Sequence, residues 1–132
     1  MSITIGMGCT PCGPGGKHVL VVEDDMDIRE TLREVLQAEG YSVETACNGR
    51  EALDVLSNQH RPCVIFLDLM MPVMSGPELL EVLQHDGEAK TIPVVIVSAY
   101  CDYIESANGV AEVIPKPMRL SQVLRSAHRF CD

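Results

Sequence analysis

The sequence contains no apolar run long enough to cross a bilayer: none reaches the roughly 18 residues that a spanning helix needs. No membrane association is expected. The first residues, Met1 to Lys17, lack the charged start and apolar middle of a secretory leader. A cytoplasmic location with reduced thiols follows as the expectation. Positive charge is also scarce. Ten Lys and Arg stand against nineteen Asp and Glu, a net charge of −9. That argues against nonspecific nucleic-acid binding, which rests on Lys and Arg at phosphates. It suits a protein that holds a cation. The 132 residues suit one domain, and 46% apolar content marks a globular chain.

The six cysteines are Cys9, Cys12, Cys47, Cys63, Cys101 and Cys131. Cys47 and Cys63 fall in or beside apolar segments, where cysteine behaves as a small apolar residue. Cys9-Thr10-Pro11-Cys12 has the spacing of a redox or metal pair. It lacks a preceding strand and a second pair, and a structural zinc site wants four ligands. Residues 1–16 carry five glycines and two prolines and no periodicity. They are expected to be a flexible tail, with the folded domain spanning 17–132.

The rest of the chain alternates apolar strands with amphipathic helices. One run dominates: Cys63-Val64-Ile65-Phe66-Leu67-Asp68, flanked by Pro62 and Pro72. It reads as a fully buried strand that surfaces at an acid. Residues 17–22 form a similar strand ending in Glu23-Asp24-Asp25, and 92–97 another ending in Ser98. Residues 41–46 alternate, and 111–114 are a short strand followed by Lys116. Helices are predicted over 27–39, 50–59, from Ser75, weakly over 101–109, and over 119–130. Ser75 caps the third, with Pro77 in its first turn and Glu78 three residues on from the cap. Five such units argue for a parallel sheet covered on both faces.

In a parallel sheet the strand ends share one edge, and sites lie in the crevice there. Glu23, Asp24, Asp68, Ser98 and Lys116 would then converge. Carboxylates that crowd together repel, and their natural counterion is a hard divalent cation such as Mg²⁺. A carboxylate can also attack phosphorus and become an aspartyl phosphate. Lys116 would supply positive charge and Ser98 a hydroxyl donor.

These residues resemble those of the receiver domains of two-component response regulators. The similarity covers about residues 17–131 and rests on Val19 to Asp25, Leu67 to Gly76, Ser98-Ala99 and Pro115-Lys116-Pro117. It implies a flavodoxin-like (βα)5 doubly wound fold with strand order 2-1-3-4-5. It implies that Asp68 accepts a phosphoryl group from a sensor histidine kinase or phosphotransfer protein, as a phosphoacceptor rather than an enzyme. Asp24, Asp68 and the carbonyl of Met70 would hold Mg²⁺ directly, and Glu23 through water. Ser98 would bond the phosphoryl group, and Lys116 would pair with Asp68 or its phosphate. Asp25 would sit beside the site.

Three departures stand out. The stretch from Ser98 to Lys116 is short and weakly periodic, so the fourth helix is expected to be short or irregular. Val113 occupies the position where the family often has a switching aromatic residue. Ser98 replaces the commoner Thr. Dimerisation through the output face is therefore expected to be absent or altered, and the chain monomeric. The resemblance places Met70 and Tyr100, both bulky, beside the path of attacking water, which implies slow self-dephosphorylation. A stand-alone receiver acting on a downstream protein is the leading reading. The alternative is a pseudo-receiver that signals without phosphorylation. A metal-dependent phosphatase would need an acid–base group near Asp68, and His18, His60, His85 and His128 lie elsewhere.

Overall fold

The computed structural model describes residues 17–58, 61–71, 73–99 and 109–132. The strands are β1 (His18–Val22), β2 (Ser42–Ala46), β3 (Val64–Leu67), β4 (Val94–Ser98) and β5 (Val110–Pro115). The helices are α1 (Met26–Ala38), α2 (Gly49–Asn58), α3 (Gly76–Gln84) and α4 (Leu120–Cys131), with a short 3₁₀ turn at Ala89–Thr91. All strand pairs are parallel, in the order β2-β1-β3-β4-β5. The expected tail (1–16) and the expected fourth helix lie outside the described residues, apart from Gly109 at the end of the latter.

Strand residues alternate faces, and the chain uses both. Leu20, Val22, Ile65, Leu67, Val94 and Ile96 meet Ala52 and Leu56 of α2 and Leu79, Leu80 and Leu83 of α3. Val19, Val21, Val64, Phe66, Val95 and Val97 meet Leu32 and Leu36 of α1 and Val123 and Ala127 of α4. That is why β3 and β4 read as unbroken apolar runs, whereas the edge strand β2 alternates.

The helix starts are set by local chemistry. Asp25 caps α1, its Oδ1 accepting from the Ile28 amide at 3.1 Å. Ser75 caps α3, its Oγ accepting from the Glu78 amide at 3.3 Å. The second arm of that box differs from the usual form: the Ser75 hydroxyl donates to Glu78 Oε1 at 3.2 Å.

One expectation is overturned here. Cys63 and Cys131 form a disulfide, with Cα atoms 5.2 Å apart. Reduced thiols were expected from the missing leader, but α4 packs its last turn over the start of β3 and brings the two within bridging distance. The bond spans 68 positions. Closing a loop of that length is worth about 4 kcal/mol in the chain-entropy account. Cys47 is a free thiol, the one such cysteine among the described residues.

The β3–α3 loop is tightly built. The Gly76 amide donates to Leu69 O at 3.1 Å, and the Gly49 amide donates to Met74 O at 3.0 Å. A Cβ on Gly76 would lie 2.5 Å from the Asp68 carbonyl oxygen. Between them Val73 sits at φ +68°, a left-handed conformation that is costly for a β-branched residue. Two substitutions in this loop should therefore have opposite signs. Gly76→Ala should lower unfolding stability by about 2 kcal/mol through backbone displacement. Val73→Gly should raise it by up to about 1 kcal/mol, strain relief exceeding the added chain entropy. Urea midpoints measure both, and a stabilised Gly76→Ala protein would contradict the packing described.

Candidate functional site at the carboxyl edge of the sheet

The strand order places the ends of β1 and β3 side by side. The Asp68 amide donates to Val22 O at 3.0 Å, and the Glu23 amide donates to Ala46 O at 2.9 Å, so both acids continue the ladders. Their position is fixed by backbone bonds before any side chain acts. Glu23 and Asp68 are 2% and 5% exposed, whereas Asp24 is open to solvent. At the other side, the Lys116 amide donates to Ser98 O at 3.0 Å, which ties the end of β5 to the end of β4. Ser98 is buried. The Lys116–Pro117 peptide is cis.

The Lys116 ammonium reaches across the edge to both buried acids. It donates to Glu23 Oε1 at 2.7 Å and stands 3.6 Å from Asp68 Oδ1. The expected pairing with Asp68 is thus present, but the short bond goes to Glu23. Glu23 Oε2 also accepts from the Asp25 amide at 3.2 Å. The Met70 amide lies 3.4 Å from Asp68 Oδ1, and the Met70 side chain points out to solvent. Met71 and Met74 instead pack against the core.

Arg29 was not anticipated. Its guanidinium donates to the carbonyls of Glu23 at 2.9 Å and Asp24 at 3.4 Å, so α1 holds the acidic turn from below. Nothing in the sequence marks one helix arginine for that task. Gly49 and Gly76 were also missed as loop-packing positions. Tyr100 lies outside the described residues.

Burial dominates the electrostatics. Glu23 is pushed up to about 7 by desolvation; the Lys116 bond opposes this and the neighbouring Asp68 charge adds to it. Asp68 is raised too, again by burial. Burial alone would lower Lys116, but its bond to Glu23 and the two acidic charges prevail and raise it. One ammonium therefore serves two buried carboxylates beside a third acid, leaving a deficit of positive charge.

That deficit suits a divalent cation. Glu23, Asp24 and Asp68 can each offer an oxygen within 4.8 Å of the others. Oxygen donors of this kind are what Mg²⁺ takes. Asp68 also has the properties of a nucleophile: a carboxylate at the crevice with a cation close by.

A parallel sheet in this order, with acids gathered at its carboxyl edge, defines a CheY-like flavodoxin-like α/β domain. Residues 19–128 match the model of the response regulator receiver domain. The chain belongs to that family. The response regulator MprA of Mycolicibacterium vanbaalenii is 38% identical over 111 residues, 81% of this chain and 47% of that protein. The chain thus spans about half the length of the curated relatives it matches. The chemotaxis response regulator CheY4 of Vibrio cholerae superposes with a TM-score of 0.78 at 31% identity, covering 87% of this chain and 98% of that one. The receiver domain of a Syntrophus aciditrophicus signal transduction histidine kinase gives 0.79 at 31% identity, over 87% and 89%.

The Glu23 shift predicts a pH dependence of stability. Its carboxyl binds a proton more tightly folded than unfolded, so stability is fully present below the ordinary 4.5 and is lost as pH rises to about 7. In chelator, the urea midpoint should fall across that window. Glu23→Gln should flatten the slope. Millimolar Mg²⁺ should restore stability at the alkaline end. A midpoint that rises with pH in chelator would contradict the buried, proton-holding Glu23.

Proposed function

We propose that this chain is a signalling receiver that accepts a phosphoryl group on Asp68 from the phosphohistidine of a sensor kinase or phosphotransfer protein. It then passes the signal by contact with a downstream protein. The observation that carries this reading is the buried Asp68 carboxylate with Lys116 at 3.6 Å and two further acids within ligand distance. The family supports the reading, since receivers are phosphoacceptor domains.

In the transfer, an Asp68 carboxylate oxygen attacks phosphorus. The P–O bond forms as the P–N bond to the donor imidazole breaks, and the departing imidazole takes up a proton. Lys116 balances charge on the phosphoryl oxygens, releasing part of its hold on Glu23 to do so. The Ser98 hydroxyl bonds a phosphoryl oxygen. Asp24, Asp68 and the Met70 carbonyl would hold Mg²⁺, with Glu23 acting through water. The bound cation would offset negative charge between the carboxylates and the incoming phosphoryl group. A cytoplasmic, monomeric protein is part of this reading. Among the described residues no helix is long and apolar enough to cross a membrane.

Incubation with Mg²⁺ and acetyl phosphate should add one phosphoryl mass, and Asp68→Asn should abolish it. An unmodified wild-type protein would sink the reading and favour a non-phosphorylated interaction module. By its place two residues beyond Asp68, Met70 matches the family position beside the path of attacking water, so the phosphorylated form should decay slowly, over many minutes. Met70→Ala should speed hydrolysis by roughly an order of magnitude by admitting water. Decay of the wild-type phosphoprotein within seconds would refute the shielding role.

A further inference from the structure

The disulfide lies at the opposite end of the sheet from Asp68. β3 has Cys63 just before its first residue and Asp68 just after its last. Both sulfurs sit in the core between the sheet and helices α1 and α4, with Cys63 5% and Cys131 7% exposed. We propose that Cys63 and Cys131 form a reversible thiol–disulfide exchange site whose substrates are dithiol–disulfide couples, and that its oxidation state decides whether the last turn of α4 is held on the sheet. This stands apart from the reading of Asp68.

Three observations carry it. First, the two sulfurs are anchored unequally. The Cys63 amide donates to His18 O at 2.8 Å, which fixes it to β1 at the start of a central strand. Cys131 is the final residue of α4. A helix's last turn opens at far lower free energy than a central strand. Fraying of that turn around the intact bond therefore uncovers Cys131 Sγ to an attacking thiolate while Cys63 stays in place.

Second, the other ties at this turn are weak. Tyr41 Oη and His128 Nδ1 are 2.8 Å apart, and His128 Nε2 stands 3.4 Å from Glu39 Oε1. Asp132 contacts both Lys17 and His128. Lys17, Glu39, His128 and Asp132 are 40–48% exposed in their side chains, where ion pairs contribute little. With Gly40 and Tyr41 they line an open cleft of about 230 Å³. Tyr41 bridges the two regions, since it also packs in the core group that contains both sulfurs. Arg129 adds an ion pair to Glu112 at 3.2 Å and Phe130 packs partly in the core; among the described residues the covalent bond is the strongest tie on this turn.

Third, the reduced state is provided for. Cys63 Sγ lies 3.2 Å from the carbonyl oxygen of His18, an acceptor for its S–H once the bond is open. Cys47 offers a contrast. Its thiol is engaged by the Glu51 carboxylate, and that bond raises its pKa, so it is a poor competitor for exchange.

The chemistry balances without an outside oxidant beyond the couple itself. A thiolate of the dithiol attacks Cys131 Sγ and the Cys63–Cys131 bond breaks. This leaves a mixed disulfide on Cys131 and a Cys63 thiolate that takes up a proton. The second thiolate of the dithiol attacks its own sulfur in that mixed disulfide, releasing Cys131 as a thiolate that is protonated in turn. The dithiol leaves as its cyclic disulfide, two electrons poorer, and both cysteines are reduced. Oxidation runs the same steps backwards.

The test uses the full chain with reduced and oxidised dithiothreitol under native conditions. Peptide mapping after alkylation follows Cys63 and Cys131 separately from Cys9, Cys12, Cys47 and Cys101. Reduction should proceed without denaturant and reverse fully. Its rate should change less than about twofold in low urea, because only the last turn must open. Amide hydrogen exchange near residues 128–131 should then speed up about tenfold or more, with β1 and β3 unchanged. The Cys63→Ala/Cys131→Ala protein should show the same fast exchange at all redox settings. Reduction that requires denaturant, or whose rate climbs steeply with urea, would mark a bond opened only by global unfolding and overturn the proposal. So would loosening spread evenly over the sheet, or reduced protein that does not reoxidise.

Discussion

One ammonium group shared by two buried carboxylates organises this edge of the molecule. Burying Glu23 and Asp68 without a cation would be prohibitive, because isolated charges in a poorly solvated site are strongly disfavoured. Lys116 meets that requirement from 93 residues away in sequence. It does so because β5 lies two strands from β3, close enough for a long side chain to cross the end of β4. The bond from the Lys116 amide to Ser98 O fixes the base of that side chain. The acids are fixed in turn by ladder bonds to Val22 and Ala46. The fold thus holds the charged groups close enough to interact, yet leaves them short of full neutralisation, and that shortfall is what makes the edge receptive to further positive charge.

Much of this was legible in the sequence because it depends on period and termination. Apolar runs that stop at an acid mark central strands and their surfacing points together. Two faces of alternating residues then require helices on both sides, which matches the division of the core between α2 with α3 and α1 with α4. The gathering of Glu23, Asp24 and Asp68 was legible for the same reason. Their grouping follows from adjacent parallel strands rather than from any local motif.

What was not legible depends on three-dimensional detail. The preference of Lys116 for Glu23 over Asp68 is a matter of about one ångström in side-chain reach. Arg29 acts on backbone carbonyls, which carry no residue signature. Asp25 was expected beside the site, but its task there, capping α1, is one that many acids share. The Cys63–Cys131 bond depends on where α4 ends over β3, and a helix end uncertain by one or two residues cannot specify a sulfur–sulfur contact.

β3 and the segment from β5 through α4 are joined at both ends. At the carboxyl edge Lys116 meets Asp68 by charge; at the other edge Cys131 meets Cys63 by a covalent bond. These ties differ in what can break them. The ionic tie yields to anything that competes for the ammonium, and the covalent tie yields to electrons. Between them lie Val123 and Ala127, buried in the core group that also holds Val64 and Phe66 of β3. Close packing transmits displacement better than it absorbs it. A change at the covalent tie therefore acts first on the last turn of α4, and a change at the ionic tie on the segment between β5 and α4. The segment from β5 through α4 is thus tied to β3 by charge at one end and covalently at the other, and neither tie involves the other's reacting atoms.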